Sequence, residues 1–427
     1  MILGTIFVVF VVLVLLSLPI VFALGLAAVA GLLIADLPLQ IIASSVVSGT
    51  QSWVLLAIPS FIFAGLLMER CGMSQALVGL ARAMVGWLPG GLGMTVVACA
   101  YLFSDLCGSI MAEVSSLSSL LMKPLERAGY RKEDAASLIA AGAAMGMLVP
   151  PAIFMLVISV VTNTSAVALF LAGFIPAAVM AVCLCVLILF RARKYGWPRD
   201  MDISFPKFFT ALRVAFVPLL VPVLLLGGLY SGAFTTTETG AVVALYAILA
   251  ARLYYRSVSW KEMVLIAYEA ALLTAAVIFL TAVATSYQYL MGMVGVPAML
   301  AQLLQPLEGY SWAFLIAVAL ISILIGMALE GLPAAVLFVP VVYPVAVRLG
   351  IHPIHFCIVL TASVGIGLFT PPLGLGLMVA LRFANVSVMQ HIRFYWPYWI
   401  ALLVGLLLII LFPEISLFLP RSAGFIR

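Results

Sequence analysis

Residues 129–151 read GYRKEDAASLIAAGAAMGMLVPP, and residues 350–372 read GIHPIHFCIVLTASVGIGLFTPP. Each stretch opens on a glycine, runs through an apolar segment and closes on a double proline. The offset that takes Gly129 to Gly350 also takes Pro150 to Pro371, Gly146 to Gly367 and Ser109 to Glu330. Proline has no amide hydrogen to give to the carbonyl four residues earlier, so a double proline interrupts a helix and frees carbonyl oxygens. Breakers that recur in register imply two halves built alike. In secondary transporters, interrupted segments of this kind frame the ion and substrate site.

The rest of the composition agrees with a membrane setting. Of 427 residues, 66% are hydrophobic and 8% charged, and the mean hydropathy is +1.31. A soluble domain cannot hide that much apolar surface, so the chain reads as an all-α polytopic membrane protein. The apolar start, Met1–Leu18, lacks the basic flank of a signal peptide and reads as a retained helix. The net charge of +5 and its distribution inform topology rather than nucleic-acid binding. The six cysteines have no metal-ligand or disulfide spacing. His352, His355 and His391 fall in predicted loops, too scattered for a metal site. No phosphate loop, dinucleotide fingerprint or catalytic triad spacing is visible, which leaves no sign of ATP hydrolysis or covalent chemistry.

Basic clusters at Arg70–Arg82, Lys123–Lys132, Arg191–Arg213 and Arg252–Lys261 are placed in the cytoplasm by the positive-inside rule. Residues 1–50 then hold one long or two short spans and an amphipathic arm at Leu37–Thr50. Residues 51–195 form a first repeat, 196–261 a linker with two scaffold spans, and 262–427 a second repeat of opposite orientation. Within the first repeat, residues about 84–124 are too long for one span and carry basic residues at both ends. Their polar middle, Ser104-Asp105-Leu106-Cys107-Gly108-Ser109, predicts a re-entrant hairpin whose tip is buried in protein or lines a cavity. Residues about 312–348, with Gly326, Glu330, Gly331 and Pro333 in the middle, predict its counterpart. The expected fold is an inverted-topology repeat with two hairpins and two broken helices.

Ionisable groups inside spans are costly and mark function. The candidates are Asp105, Glu113, Glu238, Glu269, Glu330 and Arg382. Glu330, beside Gly331 at a hairpin tip, either joins unwound carbonyls in a hard-oxygen site for Na⁺ or caps the helix that follows. Val149-Pro150-Pro151 and Thr370-Pro371-Pro372 either offer carbonyls to an ion or are simple kinks. Gly108-Ser109 is an ion-facing tip or a tight turn, and Asp105 is a second carboxylate near it. Arg382 either binds a substrate carboxylate through its planar fork or marks a cytoplasmic helix end. Glu113 and Glu269 face neighbouring helices or partners. The aromatic residues at 395–399 read as an interface belt.

Taken together, several motifs resemble the large membrane subunit of tripartite ATP-independent periplasmic (TRAP) transporters. They are Leu56-Ala57-Ile58-Pro59-Ser60-Phe61-Ile62-Phe63-Ala64-Gly65, Gly108-Ser109, Ala128-Gly129-Tyr130, Pro150-Pro151, Thr237-Glu238-Thr239-Gly240-Ala241 with Tyr246, Gly326-Met327, Leu349-Gly350-Ile351-His352-Pro353, Thr370-Pro371-Pro372-Leu373-Gly374 and Phe412-Pro413-Glu414-Ile415. The resemblance covers nearly the whole chain and implies an elevator-type ion-transporter-like fold. It implies Na⁺-coupled import of an organic acid across the inner membrane, with Na⁺ as coupling ion and no organic cofactor. It also implies a small four-helix membrane subunit and a periplasmic substrate-binding protein as partners, in a setting of membrane lipids. It places one ion site at Ser104, Gly108, Ser109, Gly146 and Pro150, and another at Gly326, Glu330, Gly367, Thr370 and Pro371. This chain departs from the family pattern where Ile110 follows Ser109, where Ala152 follows Pro151, and where Glu330 replaces a common Asp. The rival readings are a stand-alone Na⁺/dicarboxylate carrier, and a channel or structural membrane protein.

Overall fold

The computed structural model describes residues 2–103, 110–202, 204–303 and 309–426, and all regular structure among them is helical. The chain begins with α1 (Ile2–Leu15), α2 (Ile20–Ile34) and α3 (Gln40–Thr50). A 3₁₀ turn at Trp53–Leu56 leads into α4 (Ala57–Arg70) and α5 (Met73–Val85). Next come α6 (Gly91–Phe103), α7 (Ile110–Arg127), α8 (Lys132–Gly146), α9 (Ile153–Thr162) and α10 (Ala166–Tyr195). The middle holds α11 (Phe205–Tyr230), α12 (Thr236–Leu249) with a π turn at Ala250–Tyr255, α13 (Trp260–Met293) and α14 (Val296–Leu303). The chain closes with α15 (Ser311–Ala328), α16 (Gly331–Arg348), α17 (Pro353–Phe369), α18 (Leu375–Ala384), α19 (Val388–Leu411) and α20 (Glu414–Ser422).

The helix starts are written in the sequence. Thr235 and Glu238 form a capping box at α12, Ser259 and Glu262 at α13, and Ser387 and Gln390 at α19. In each, two amides that a helix leaves unpaired are satisfied reciprocally by side chains. At α17, Pro353 occupies the first turn and the His352 side chain accepts from the Ile354 amide. Glu238 is thereby a cap rather than an ion ligand, and Glu269 of α13 is paired with Arg70 of α4 at 2.9 Å.

The repeat is visible in the helix bounds. The offset that relates the two double prolines carries the bounds of α7 onto those of α16, and the start of α8 onto the start of α17. Both breaks carry a cis peptide, Pro150-Pro151 and Pro371-Pro372. The two broken helices are the centre of the core. Asp134–Gly146 of α8 and Ile354–Phe369 of α17 are buried throughout. Their C-terminal ends converge: a methyl group at Gly365 would fall 2.5 Å from the Ala144 carbonyl oxygen and 3.3 Å from Met147 Sδ.

Seven helices among the described residues are long and apolar enough to cross a bilayer, the longest being α13 with 34 residues. Their outer faces present Phe209, Val214, Phe216 and Val223 on α11, and Val264, Leu265, Tyr268 and Leu272 on α13. An apolar surface this broad belongs against lipid. α6 has 13 residues, about 20 Å at the α-helical rise, too short to cross alone. α15 and α16 have 18 residues each and are long enough by themselves. Residues 2–50 resolve into two helices, α1 and α2, and the arm helix α3.

Several expectations are corrected. His355 and His391 are not in loops: they are buried in α17 and α19. His391 Nε2 lies 2.6 Å from Ser137 Oγ of α8, and His355 Nδ1 lies 3.2 Å from Ser416 Oγ of α20. They pin the broken helices to their neighbours. The aromatic stretch at 395–399 is a belt only in part, because Tyr395 and Tyr398 are buried while Trp396 is exposed. The cytoplasmic placement expected for the basic cluster Arg70–Arg82 is compatible with the helix within it, α5, whose Arg82 makes a two-pronged pair with Asp200 at 2.7 Å.

Candidate ion and substrate site

A cavity of about 40 Å³ lies where the two broken helices meet the two helix pairs. Its walls are Ile110, Met111, Met147, Phe154, Glu330, Gly331, Leu332, Leu368, Leu375 and Gly376. Four pairs of these residues are related by the repeat offset: Ile110 with Gly331, Met111 with Leu332, Met147 with Leu368, and Phe154 with Leu375. The cavity therefore sits on the axis that relates the halves. Helix starts that follow both predicted tips, and both breaks, contribute to it. Glu330 is its single ionisable wall, and no cationic side chain lines it among the described residues.

The second-half residues come together tightly. A methyl group at Gly367 would fall 2.6 Å from the Ile323 carbonyl oxygen and 2.9 Å from Gly326 Cα. One at Gly326 would fall 2.9 Å from the Val364 carbonyl oxygen. Glycine at both positions is what lets the backbones of α15 and α17 approach so closely. The α17 helix then ends: the Thr370 amide donates to the Gly367 carbonyl at 2.8 Å, and the Gly374 amide to the Thr370 carbonyl at 2.9 Å. The first half repeats this closure, with the Val149 amide donating to the Gly146 carbonyl at 2.8 Å. Each freed carbonyl retains a second lone pair for another partner.

Glu330 occupies the N-cap position of α16, but its side chain makes no capping hydrogen bond. The carboxylate thus stands at the N-terminus of α16, where the helix dipole favours its charge, and is left free of a capping bond at the cavity. Glu113 lies on α7 with 1% of its surface exposed. It packs on the first break: a methyl group at Gly146 would fall 2.8 Å from its Oε1. Arg382 sits in the last turn of α18, beside a separate cavity with Asn385 and Ser387, and is not brought to the central one. Ser104, Asp105, Gly108 and Ser109 lie outside the described residues. Of the remaining expected site residues, Gly326, Gly367, Thr370 and Pro371 gather at the second break with Glu330 nearby, and Gly146 and Pro150 bound the first.

One contributor was missed in the sequence. Trp399 Nε1 donates to Thr370 Oγ1 at 3.2 Å, while Thr370 Oγ1 donates to the Ile366 carbonyl at 2.7 Å. A hydroxyl has one proton and two lone pairs. Both the proton and one lone pair are committed, which fixes the second lone pair's direction. Trp399→Phe keeps an aromatic ring and deletes the donor. A hydrogen bond of this kind is worth about 0.5–1.5 kcal/mol, so if Thr370 helps to hold a coupling Na⁺, the Na⁺ concentration for half-maximal uptake should rise roughly two- to tenfold. Na⁺ titration of uptake checks this, and an unchanged midpoint would leave Trp399 as a packing contact of Thr370.

Such an arrangement, two like halves each giving a broken helix and a helix pair to one central cavity, defines a helical membrane transporter. The chain resembles the structure of the Alcanivorax borkumensis YdaH transporter, with a TM-score of 0.58, 16% identity and 86% of each chain covered. The sequence profile described as "Tripartite ATP-independent periplasmic transporter, DctM component" matches residues 7–415, and the chain belongs to that family. It is 32% identical over 424 residues to the C4-dicarboxylate TRAP transporter large permease protein DctM of Rhodobacter capsulatus, covering 96% of each. It is 32% identical over 406 residues to the sialic acid TRAP transporter large permease protein SiaM of Vibrio cholerae, covering 95% of each. It is thus a multi-pass protein of the bacterial inner membrane.

Proposed function

We propose that this chain is the membrane permease of a three-part importer that brings an organic acid anion into the cell, driven by Na⁺. The observation that carries the reading is the central cavity, walled by both halves and holding one carboxylate, Glu330, with no cationic side chain among the described residues. An anionic cargo arriving there would meet a like charge. A cation held by Glu330, the Thr370 hydroxyl and the carbonyl of Gly367, which Pro371 deprives of its usual amide, reverses that repulsion. Oxygen donors of this kind suit a hard cation such as Na⁺. Coupling follows from the electrostatics, because the anion is stabilised only when the cation is present. At about 40 Å³ the cavity admits only a few waters. Cargo entry therefore requires the helix pairs and breaks to separate from one another or from the scaffold.

Movement of the two helix pairs and two broken helices as one unit, against α2, α4, α11 and α13 as scaffold, would carry such a site across the membrane. In this reading α6–α7 and α15–α16 are re-entrant hairpins. The described residues hold no large soluble domain to collect dilute cargo, so a periplasmic binding protein delivers it. A small four-helix membrane subunit braces the scaffold. Reconstitution tests this. The chain alone in proteoliposomes should give little uptake. Adding both partners and an inward Na⁺ gradient should restore it without ATP. Robust uptake by the isolated chain would overturn the three-part reading and favour a stand-alone carrier. The relatives' cargoes, a C4-dicarboxylate and sialic acid, stand at equal identity and do not select between a simple and a hydroxylated acid.

A further inference from the structure

A second cavity, of about 560 Å³, lies away from the central one. One wall belongs to the scaffold: Gln51 after α3, and Thr281, Thr285 and Gln288 on α13. The opposite wall belongs to the repeat unit: Ser159 on α9 and Asn163 just beyond it. The orientation follows from the basic flanks. α8 starts beside Arg131 and Lys132, so α9 ends on the periplasmic side, and α13 starts beside Lys261, so its last turns are periplasmic. The cavity is thus in the periplasmic half of the protein.

Its chemistry is selective. Among the described residues no charged side chain lines it, so a carboxylate entering it would meet amide donors but no counter-charge. Its size falls within the range of small-molecule sites. Three of its hydroxyls have already spent their protons on helix carbonyls. Thr281 Oγ1 donates to Val277 at 2.9 Å, Thr285 Oγ1 to Thr281 at 3.0 Å, and Ser159 Oγ to Leu156 at 2.6 Å. They can only accept. A group facing these three must therefore donate, as an alcohol can. The three amide side chains, Gln51, Asn163 and Gln288, both donate and accept and suit neighbouring hydroxyls.

We infer that this cavity binds the hydroxyl-rich part of a solute: a polyol, or the polyol portion of a sugar acid, entering from the periplasm. The hydrogen-bonding argument stands on the cavity alone. A site built to pair hydroxyls discriminates strongly against analogues lacking them.

The test uses the full chain in intact cells, with its six native cysteines replaced and Ser48→Cys introduced in the cavity wall. An impermeant thiol reagent is added outside with gluconate, sorbitol or succinate at matched osmolarity. Gluconate and sorbitol should slow labelling severalfold, and succinate should leave it unchanged. In a Thr281→Val and Thr285→Val background, which keeps side-chain shape and deletes two acceptors, labelling should proceed at the unprotected rate with every solute. Protection by none of them marks a cavity that holds only water and overturns the inference. So does equal protection by succinate, protection that survives the valine changes, or a cysteine that the external reagent does not reach. Failure of the import reading would show separately, as absent Na⁺-driven uptake with the protection pattern intact.

Discussion

Glu330→Gln should raise the Na⁺ concentration needed for half-maximal uptake by roughly 10–100-fold, while the folded protein is recovered in normal amount. The reasoning is local. A charged acceptor contributes about 1.5–3 kcal/mol where a neutral one contributes less. At about 1.4 kcal/mol per tenfold, that is one to two orders of magnitude. Glutamine keeps the length and the N-cap position of α16. The wild-type side chain makes no cap bond that the change would remove, so stability has little to lose. Cargo binding at saturating Na⁺ should change less, since the site then carries one more net positive charge toward an anion. An unchanged Na⁺ midpoint would take Glu330 out of the ion site and leave it as a polar rim of the cavity. Uptake titrated with Na⁺ at fixed membrane potential, beside thermal unfolding of the purified protein, separates these cases.

The parts of this site that could be read from the sequence are those where backbone chemistry leaves no choice. Pro150-Pro151 and Pro371-Pro372 cannot sit within an unbroken helix, and Gly367 falls where the backbone of α17 comes close to that of α15 at Gly326. What could not be read is which face of an apolar helix turns inward. In soluble proteins polarity separates the two faces, but a helix in lipid is apolar all round. Tyr395, Tyr398 and Trp399 therefore looked like an interface belt, although two are buried and the third holds Thr370. The buried His355 and His391 looked like loop residues for a related reason. Each stands close to a helix start, where hydropathy falls, and only the packing of α20 and α8 against them reveals the role. Arg382 lies ten residues after Pro372. At the rise of an α-helix that is about 15 Å, enough to carry it from the break to the helix end.

Arg191→Met should be the most destabilising single change of those considered, by about 3–5 kcal/mol, the cost of leaving a buried charge without its partner. Arg191 of α10 pairs with Asp134, the third residue of α8, and both are buried. The guanidinium also lies over three rings, 5.2 Å from Tyr195, 5.7 Å from Trp197 and 5.2 Å from Tyr398. Trp197 stacks in turn on Tyr130, with centroids 3.9 Å apart. This one side chain thereby ties α8, α10 and α19 together at the end where the first broken helix begins. Its counterpart in the second half is gentler: the residue equivalent to Asp134 is His355, held by a neutral contact to Ser416. A buried charge pair thus stands at this position in one half of the repeat and a neutral contact in the other. A double-mutant cycle makes the argument testable, because the cost of the single change is mostly the stranded Asp134 carboxylate. Asp134→Leu added to Arg191→Met removes that charge and should recover a substantial part of the lost thermal stability. If the double variant melts no higher than Arg191→Met alone, the stacking on Tyr195, Trp197 and Tyr398, rather than the ion pair, is what anchors the start of α8.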